Sequence, residues 1–454
     1  MTTSTGVRTA VPPTMEPTAE WWRTVPGSFG WPLVGQSLSF YRDYLGLVRR
    51  AHAAWGPVFK MRILGQRQIM LVGAAANRLV LADQADSFSS RWGWEFSLGE
   101  LFRNGLMLRD GDDHRYHRRI LQVAFQRPAL LSYLEQMEPL VMRALSSWPT
   151  GSELRVYREL KALLLDLAAR VFLGVRLEHE IAAVNHAFQR VVKGSTAFVR
   201  RPVPGLDYAR GLQGRRQLDA FFHTLVAARR QAPTEDVLGR LCTAVSEEGE
   251  RLTDEQVVDH VIFFMMAAHD TTTSALTSLV YELGRHPSWQ DRLRQECARH
   301  AEVASDERLK DLRELGWAIK ETLRLHPPLV VIPRRAMAPV EAGGFTIPAG
   351  MNVTVSPAYT QRMEEYWSAP ESFDPERFSE ARAEDRKVPF AYLPFGGGVH
   401  LCLGMFFAEM QAKLIAHHLL HRFRWSLPEG YRLPYKQVPI QAPVDGLPLR
   451  LSRV

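Results

Sequence analysis

Cysteine is scarce in this sequence, which has three such residues among 454, at Cys242, Cys297 and Cys402. Three widely spaced cysteines do not make a disulfide framework, so a reducing cytoplasm is the expected compartment. Long hydrophobic runs are missing too. The longest apolar stretch, 261–268, is far shorter than the roughly 18 residues that a membrane-spanning helix requires. Because residues 1–20 contain no apolar run, we expect neither a secretory signal nor a transmembrane anchor.

The chain also lacks any concentration of charge of one sign. Its net charge of +7 is moderately basic, but Lys and Arg are scattered and form no long tract, so nucleic-acid binding is not expected. An acidic protein partner is a better match for the excess positive charge. The proportions of hydrophobic and charged residues are those of an ordinary globular protein, and the length allows a large buried core.

Periodicity and turn signals predict a mainly α protein with a minor β part (α+β), in which one large helical domain carries a small β-rich region. Residues 1–20 are rich in Thr and Pro, so we expect a disordered arm there and a single domain over 21–454. The runs at 58–61 and 68–72 are β-like and are separated by Gly65, which predicts a hairpin.

Helical patterns dominate from 115 to 302. Within this region, 254–286 is predicted as one long helix that Pro287 stops. A further helix should end at Leu325, shortly before two consecutive prolines, and the last one should cover 405–422.

One of the three cysteines lies in the segment PFGGGVHLCLGMFFA, at 394–408. The consecutive glycines Gly396–Gly398 make a tight loop of low bulk before Cys402, which lets the backbone approach a large flat ligand. Gly404 then opens an apolar helix, whose N-terminus favours a thiolate over a thiol. A lone cysteine is more often a buried packing residue, so the segment by itself leaves both interpretations open.

Polar residues also interrupt the apolar run of the long predicted helix. After Ala267 and Ala268 the chain continues with His269, Asp270, Thr271 and Thr272. An acid in such a setting must be solvated or paired. Taken alone, the pattern favours a solvent-facing stripe whose side chains bond back to helix carbonyls.

Two charged pairs have helical spacing. Glu321 and Arg324 are three residues apart, which places them on one helical face and predicts an ion pair. Such pairs are usually surface features of small energy. His114 and Arg118 are four residues apart near a predicted helix start, so both basic groups lie on one helix face and could bind a pair of carboxylates. More often, such residues form a basic helix face exposed to solvent. Candidate caps for that helix are Asp110, Asp112 and Asp113.

These segments, in this order over roughly 26–454, resemble the cytochrome P-450 family. The most specific match is Phe395-x-x-Gly398-x-His400-x-Cys402-x-Gly404, with His400 where the family usually has Arg. The resemblance implies the cytochrome P-450 fold and haem b (iron protoporphyrin IX) as cofactor, with Cys402 as the axial ligand of the iron. Thiolate ligation favours cleavage of the O–O bond.

The resemblance also implies roles for individual residues. Thr271 and Asp270 are expected to be catalytic, with Thr271 assisting oxygen activation and Asp270 relaying protons from solvent. A structural network is expected from Glu321, Arg324 and Arg377. His269 is interpreted as a wall residue, with a polar substrate contact as the alternative. The residues implied to hold the haem are His114, Arg118, Ala267, Arg334, Phe395, Gly396, His400, Cys402 and Gly404. The expected substrate pocket comprises Trp94, Phe96, Phe102, Phe198, Ala268, Val330, Val331 and Ile440.

The implied function is hydroxylation of a hydrophobic small molecule, such as a terpenoid, steroid or fatty acid, by O2 and two electrons. No segment resembles a flavin or iron–sulfur module, so the electrons should come from a separate ferredoxin and its ferredoxin reductase. Candidate contacts for that partner are His400, Lys387 and 115–119. The segments at 124–141 and 198–212 also resemble the retinoid- and sterol-oxidising branch. We expect a cytoplasmic monomer.

Three alternative functions remain open. A haem-thiolate isomerase or dehydratase needs no proton relay, so the pair Asp270 and Thr271 argues against it. A peroxide-driven hydroxylase is possible, although such enzymes often lack the acid–threonine pair. A non-enzymatic haem-based gas sensor is disfavoured because the sequence shows no output domain.

Overall fold

The computed structural model describes residues 18–174, 180–300, 303 and 305–454. In this part of the chain, eighteen α-helices are connected by short turns and by twelve short strands. The helices are α1 (Ala19–Thr24), α2 (Ser37–Arg42), α3 (Tyr44–Trp55), α4 (Ala74–Arg78), α5 (Ser90–Phe102), α6 (Gly111–Gln122), α7 (Arg127–Ser146), α8 (Val156–Leu173), α9 (Glu180–Ser195), α10 (Asp207–Gln231), α11 (Val237–Thr243), α12 (Asp254–Arg285), α13 (Pro287–Cys297), α14 (Asp306–Asp311), α15 (Arg313–Leu325), α16 (Pro357–Thr360), α17 (Glu384–Lys387) and α18 (Met405–Arg422). The strands are β1 (Val58–Ile63), β2 (Gln66–Leu71), β3 (Phe88–Ser89), β4 (Glu153–Arg155), β5 (Ile332–Ala336), β6 (Val340–Ala342), β7 (Phe345–Ile347), β8 (Asn352–Val355), β9 (Phe423–Ser426), β10 (Tyr435–Lys436), β11 (Ala442–Pro443) and β12 (Pro448–Arg453).

The predicted fold class, mainly α with minor β, is confirmed. Most of the predicted N-terminal arm, 1–17, lies outside the described residues, whereas Ala19 and Glu20 at its end belong to α1. None of the described helices is both long and apolar enough to cross a bilayer.

The main sheet has five strands in the order β1-β2-β8-β5-β3. Strands β1 and β2 form the predicted antiparallel hairpin, with Ile63 opposite Gln66. Strand β2 runs parallel to β8, and β5 returns antiparallel with Arg334 opposite Val353. The sheet thereby carries the residues after α15 back towards the helical core, where Arg334 is buried.

Helix α12 runs through the middle of the helical core and packs against α8, α10, α15 and α18. Its N-terminus carries a capping box, in which Thr253 accepts from the backbone of Gln256 and the side chain of Gln256 accepts from the backbone of Thr253. Pro287 opens α13 directly after it. Local signals therefore fix both ends of this helix, and the prediction of one long helix at 254–286 is confirmed.

Candidate active site

The loop before Cys402 depends on backbone conformations that glycine adopts easily. Gly396 and Gly398 have φ of 74° and 64°, in the left-handed region that other residues rarely enter. The backbone N–H of Cys402 donates to the carbonyl of Phe395 at 3.0 Å. From α6, Arg118 donates through Nη1 to the carbonyl of Leu401 at 2.7 Å. The cysteine is thus fixed by its own loop and by a neighbouring helix.

Replacing Gly398 with alanine is expected to disrupt this loop, because the added Cβ would lie 1.7 Å from the carbonyl oxygen of Leu81. The measurements are the haem content of purified protein and the midpoint of thermal unfolding, and both should fall sharply. Gly344→Ala is the matched control. Gly344 also has a positive φ, of 83°, but nothing lies within 4 Å of its Cβ position, so only backbone strain of about 1–2 kcal/mol is expected there. Equal losses in the two variants would contradict the steric explanation.

The Cys402 side chain is enclosed by protein but accessible to an internal cavity that it helps to line. Burial raises the pKa of the thiol, while the N–H of Gly404 and the charge of Arg118 act in the opposite direction. A buried sulfur with a backbone donor and a nearby guanidinium is suited to become a ligand thiolate once a metal replaces its proton.

Four basic side chains gather at one edge of the same cavity: His114, Arg118, Arg334 and His400. The imidazole rings of His114 and His400 lie with their centroids 4.0 Å apart. Burial and the neighbouring guanidinium groups lower the pKa of His114 to about 4 and that of His400 to about 2. Burial also lowers the pKa of Arg334 to about 10. The cluster is therefore electrostatically unfavourable by itself and fits a ligand carrying two negative charges, such as the propionates of haem.

Asp110 is a carboxylate close to this cluster, with Oδ1 3.9 Å from Nε2 of His400. The sequence suggested Asp110 as a cap for α6, and it does occupy the N-cap position, but its side chain makes no bond to that helix. Instead it accepts from the backbone N–H of Ser90 at 2.7 Å and from that of Arg91 at 3.4 Å, at the start of α5. Asp110 thus links the helix that carries Trp94 to the basic edge of the cavity.

Helix α12 supplies one wall of the cavity with residues at helical spacing. Its lining residues are Phe263, Phe264, Ala267, Ala268, Thr271, Thr272 and Ala275. The hydroxyl of Thr271 donates to the carbonyl of Ala267 at 2.8 Å, so it does bond back to the helix, as one interpretation of the sequence proposed. The stripe does not face solvent, however, because it lies against the cavity and the helical core.

Asp270 points away from the cavity wall, towards α8. Its Oδ1 lies 2.8 Å from Nζ of Lys161 and 3.3 Å from Nε2 of His269. Burial alone would lower the pKa of Lys161, but the carboxylate outweighs it and raises that pKa. Lys161 was not singled out from the sequence, because its partner lies on another helix far along the chain.

The predicted substrate pocket is only partly assembled. Trp94 and Ala268 line the cavity, as do Leu329 and Ile332 from the segment after α15. The other six predicted residues lie outside the wall. Phe198 is 62% exposed, and Phe96 contacts Arg200. Phe102 packs behind Phe263, with ring centroids 6.4 Å apart. Val330 and Val331 pack in another core cluster, and Ile440 is half-buried outside the lining.

Two of these differences follow from helix geometry. Phe96 lies two residues after Trp94, about 200° around α5, so both cannot face the cavity. Phe263 and Phe264 were not predicted, although each lies four residues before Ala267 or Ala268, a spacing that places them on the same face. This four-residue spacing was the sequence signal that could have placed Phe263 and Phe264 in the cavity wall.

Glu321, Arg324 and Arg377 meet in the interior, and all three side chains are fully buried. Glu321 lies 2.7 Å from Nε of Arg324 and 3.0 Å from Nε of Arg377, and it accepts from the backbone N–H of Asp374 at 2.9 Å. Arg377 also pairs with Glu384 at 2.9 Å. The network joins α15 to the helical turn Pro375–Phe378 and to α17, which precedes the cysteine loop.

Comparison with known proteins identifies the family. The cytochrome P-450 profile matches residues 25–441. Cytochrome P-450 136 of Mycobacterium tuberculosis is 37% identical over 445 residues, with 94% of this chain and 88% of that protein covered. Taxane 13-alpha-hydroxylase of Taxus cuspidata is 30% identical, with 94% and 91% covered. The solved structure of retinoic acid-bound cyanobacterial CYP120A1 is similar at a TM-score of 0.87 and 31% identity, covering 95% of this chain and 99% of that one.

The profile spans most of the chain, and several relatives of 30% identity or more are matched along nearly their whole length. The residues around the cavity also fit a haem, since they offer a sulfur on one side and a basic edge for two carboxylates. The chain belongs to the cytochrome P-450 family of monooxygenases, whose cofactor is haem b.

Proposed function

We propose that the protein hydroxylates a hydrophobic small molecule, of which a terpenoid is the first candidate and a steroid or fatty acid the next. The observation that carries this proposal is the apolar wall of the cavity beside Cys402. Trp94, Leu106, Phe263, Ala268 and Leu329 contribute to it. A pocket of aromatic and aliphatic side chains with few polar groups selects for apolar ligands.

The relatives support the same substrate class. One of them is a taxane hydroxylase, and the similar solved structure contains retinoic acid. Both ligands are largely hydrocarbon, in keeping with the wall residues of this chain. Retinoic acid in the similar solved structure is in keeping with the retinoid part of the predicted likeness to the retinoid- and sterol-oxidising branch.

Haem bound through Cys402 would supply dioxygen activation and transfer of one oxygen atom to the substrate. The remaining work belongs to side chains of this protein. His114, Arg118, Arg334 and His400 would hold the propionates, and the apolar wall would exclude water from the reacting centre. Thr271 lines the cavity. Asp270, the residue before it, would hold and pass on protons that enter from the α8 side.

We further propose that electrons arrive from an acidic ferredoxin served by a ferredoxin reductase. Helix α6 presents Arg115 and Arg119, whose side chains are more than half exposed, and its Arg118 contacts the backbone beside Cys402. Lys387 is exposed as well. His400 is a poorer contact than the sequence suggested, because its ring packs against that of His114 and lines the cavity.

The proposal is tested by screening the ferric holoenzyme against terpenoids, steroids and fatty acids for a substrate-induced change of haem spin state. Each binder is then incubated with ferredoxin, its reductase, NAD(P)H and O2. We expect a hydroxylated terpenoid whose added oxygen comes from O2, as shown by labelling with ¹⁸O2. Charge reversal at Arg115 and Arg119 should slow reduction by ferredoxin roughly tenfold at low salt and leave the spin-state change intact.

Other outcomes discriminate between the alternatives. Brisk turnover with hydrogen peroxide and none with the redox chain would replace this proposal with a peroxide-driven hydroxylase. Turnover without any reductant or peroxide would indicate an isomerase or dehydratase. If the charge-reversed variant is reduced at the same rate and with the same salt dependence, the docking surface lies elsewhere.

A further inference from the structure

An acidic hairpin, residues 245–251, connects α11 to α12 and lies against the outer face of α6. It contains three glutamates, all of them exposed. An antiparallel bridge closes its base, and Gly249 makes the turn with a φ of 83°. The hydroxyl of Ser246 accepts from the backbone N–H groups of Glu248 and Glu250, each at 3.2 Å. The hairpin is therefore a structured element that holds its carboxylates in a defined place.

Arg230 of α10 fixes the two ends of the acidic hairpin. Its guanidinium donates to the carbonyl of Cys242, near the end of α11, and to the carbonyl of Leu252 at 2.5 Å. Nε of Arg230 lies 3.2 Å from Oδ1 of Asp254, the first residue of α12. Leu252 itself is buried in the helical core. Because both ends are attached to core helices, the hairpin is a permanent part of the surface beside α6.

The tip of the acidic hairpin contacts α6 at two points. The hydroxyl of Tyr116 donates to Oε2 of Glu250 at 3.0 Å. Burial and this bond raise the pKa of Tyr116, so its hydroxyl stays protonated and remains the donor. Nη1 of Arg119 lies 3.6 Å from Oε2 of Glu247. The hairpin thus places negative charge directly on the basic face of α6.

This placement changes the electrostatics of the surface that we propose for ferredoxin. Arg115 is already paired with Asp112 of its own helix at 2.6 Å, and Arg119 faces Glu247 of the hairpin. The Glu247 side chain is 82% exposed, so an approaching acidic protein meets its carboxylate together with the guanidinium. Like charges that face each other across an interface slow association and weaken the complex.

Stability does not account for the charges of the hairpin. Exposed ion pairs contribute little to the stability of a fold, and the hairpin is held by backbone bonds and by Arg230. One of those bonds runs from the N–H of Ser246 to the carbonyl of Glu250 at 2.8 Å. Glutamine at positions 247 and 248 would preserve all of these bonds. The charges therefore act mainly on what approaches the surface.

We propose that the acidic hairpin limits how tightly an acidic electron donor binds beside α6, so that the donor leaves quickly after each electron transfer. Monooxygenation consumes two electrons, and a ferredoxin with one iron–sulfur cluster delivers them one at a time. Two reduced ferredoxins must dock and two oxidised ones must leave in each turnover, with both electrons coming from NAD(P)H through the reductase. Tighter binding would hold the oxidised donor and delay the second electron. This inference rests on the proposed docking of ferredoxin at α6.

The test uses the double variant Glu247→Gln/Glu248→Gln, which leaves the bond between Tyr116 and Glu250 in place. Ferric holoenzyme is titrated calorimetrically with an oxidised, acidic 2Fe–2S ferredoxin. We expect the Kd to fall roughly fivefold at low salt. The difference should disappear at about 1 M salt, where the screening length is about 3 Å. The midpoint of thermal unfolding should stay almost unchanged.

Glu364→Gln/Glu365→Gln is the matched control, because it removes two charges from another exposed segment and gives the same net charge. Its Kd should stay close to that of the wild type. A hairpin variant that binds no more tightly than this control would overturn the proposal.

The rate of turnover tests the release step. At low salt and saturating ferredoxin, with any substrate that shifts the spin state, the hairpin variant should turn over more slowly than the wild type, because the oxidised donor leaves more slowly. In stopped-flow reduction under carbon monoxide at low ferredoxin concentration, it should instead react faster. Tighter binding without slower turnover would show that donor release does not depend on the hairpin, and the proposal would be wrong.

Charge reversal at Arg115 and Arg119 separates the two levels of the hypothesis. If that variant binds ferredoxin as tightly as the wild type does, the proposed docking at α6 fails. If it binds weakly while the hairpin variant binds like the Glu364→Gln/Glu365→Gln control, only the inference about the acidic hairpin is wrong.

Discussion

Replacing Cys402 with serine is expected to abolish the red-shifted Soret band of the reduced carbon monoxide complex and essentially all monooxygenase activity. A serine hydroxyl is a poor ligand for iron and does not donate electron density as a thiolate does. The loop around it should keep its shape, because its hydrogen bonds run through the backbone of Cys402 and Leu401. The measurements are the carbon monoxide difference spectrum and the product yield.

Cys242→Ala is the control for this experiment. Cys242 lies in the hydrophobic core of the helical domain, and burial raises the pKa of its thiol to about 11. Its loss should lower stability by a modest amount and leave the spectrum unchanged. A thiolate-type band that survives in Cys402→Ser, or one that disappears in Cys242→Ala, would assign the ligand to another residue.

The second large effect is expected from Glu321→Gln. This change removes the charge shared by the buried guanidinium groups of Arg324 and Arg377. Loss of one member of a buried charge network destabilises proteins by about 3–5 kcal/mol, which is a large part of a typical total of about 5–15 kcal/mol. We expect a strongly lowered urea midpoint in circular dichroism and poor retention of haem.

Glu314→Gln is its matched control, because it makes the same chemical change on the same helix. Glu314 pairs with Arg292 at 2.8 Å, but both side chains are partly exposed, at 28% and 40%. A surface pair of this kind contributes about 0–1 kcal/mol. If both variants lost equal stability, burial would not be what gives the Glu321 network its strength.

The sequence was sufficient to predict those elements whose boundaries are set by residues close together in the chain. Helix α12 begins at a capping box and ends before Pro287, and α18 covers the predicted 405–422. The cysteine loop could be recognised because its glycines, its cysteine and the following helix lie next to one another in one short segment of the chain. Helix α3 was missed although its buried residues, Tyr44, Leu47, Val48 and Ala51, show helical spacing that could have revealed it.

Other features depend on residues distant in sequence. Helix α5 contains two glycines, which argue against a helix locally, yet Gly93 is needed because a Cβ there would lie 2.5 Å from Cα of Arg334. The pairing of Lys161 with Asp270 likewise exists only after α8 has packed on α12. Phe198 is aromatic and was expected in the substrate pocket, but nothing in its own segment reveals that it is exposed.

Strand β5 has a consequence for how this enzyme can diverge. Ile332 and Arg334 of this strand both line the cavity. Arg335, the next residue of the strand, is not part of the lining and donates to the carbonyl of Gly350 at 3.0 Å. Alternate residues of a strand face the same side, so inserting or deleting a single residue would exchange the two faces. New substrate preferences can therefore arise by substitution at Ile332, but natural or laboratory variation in the length of this strand should be strongly selected against.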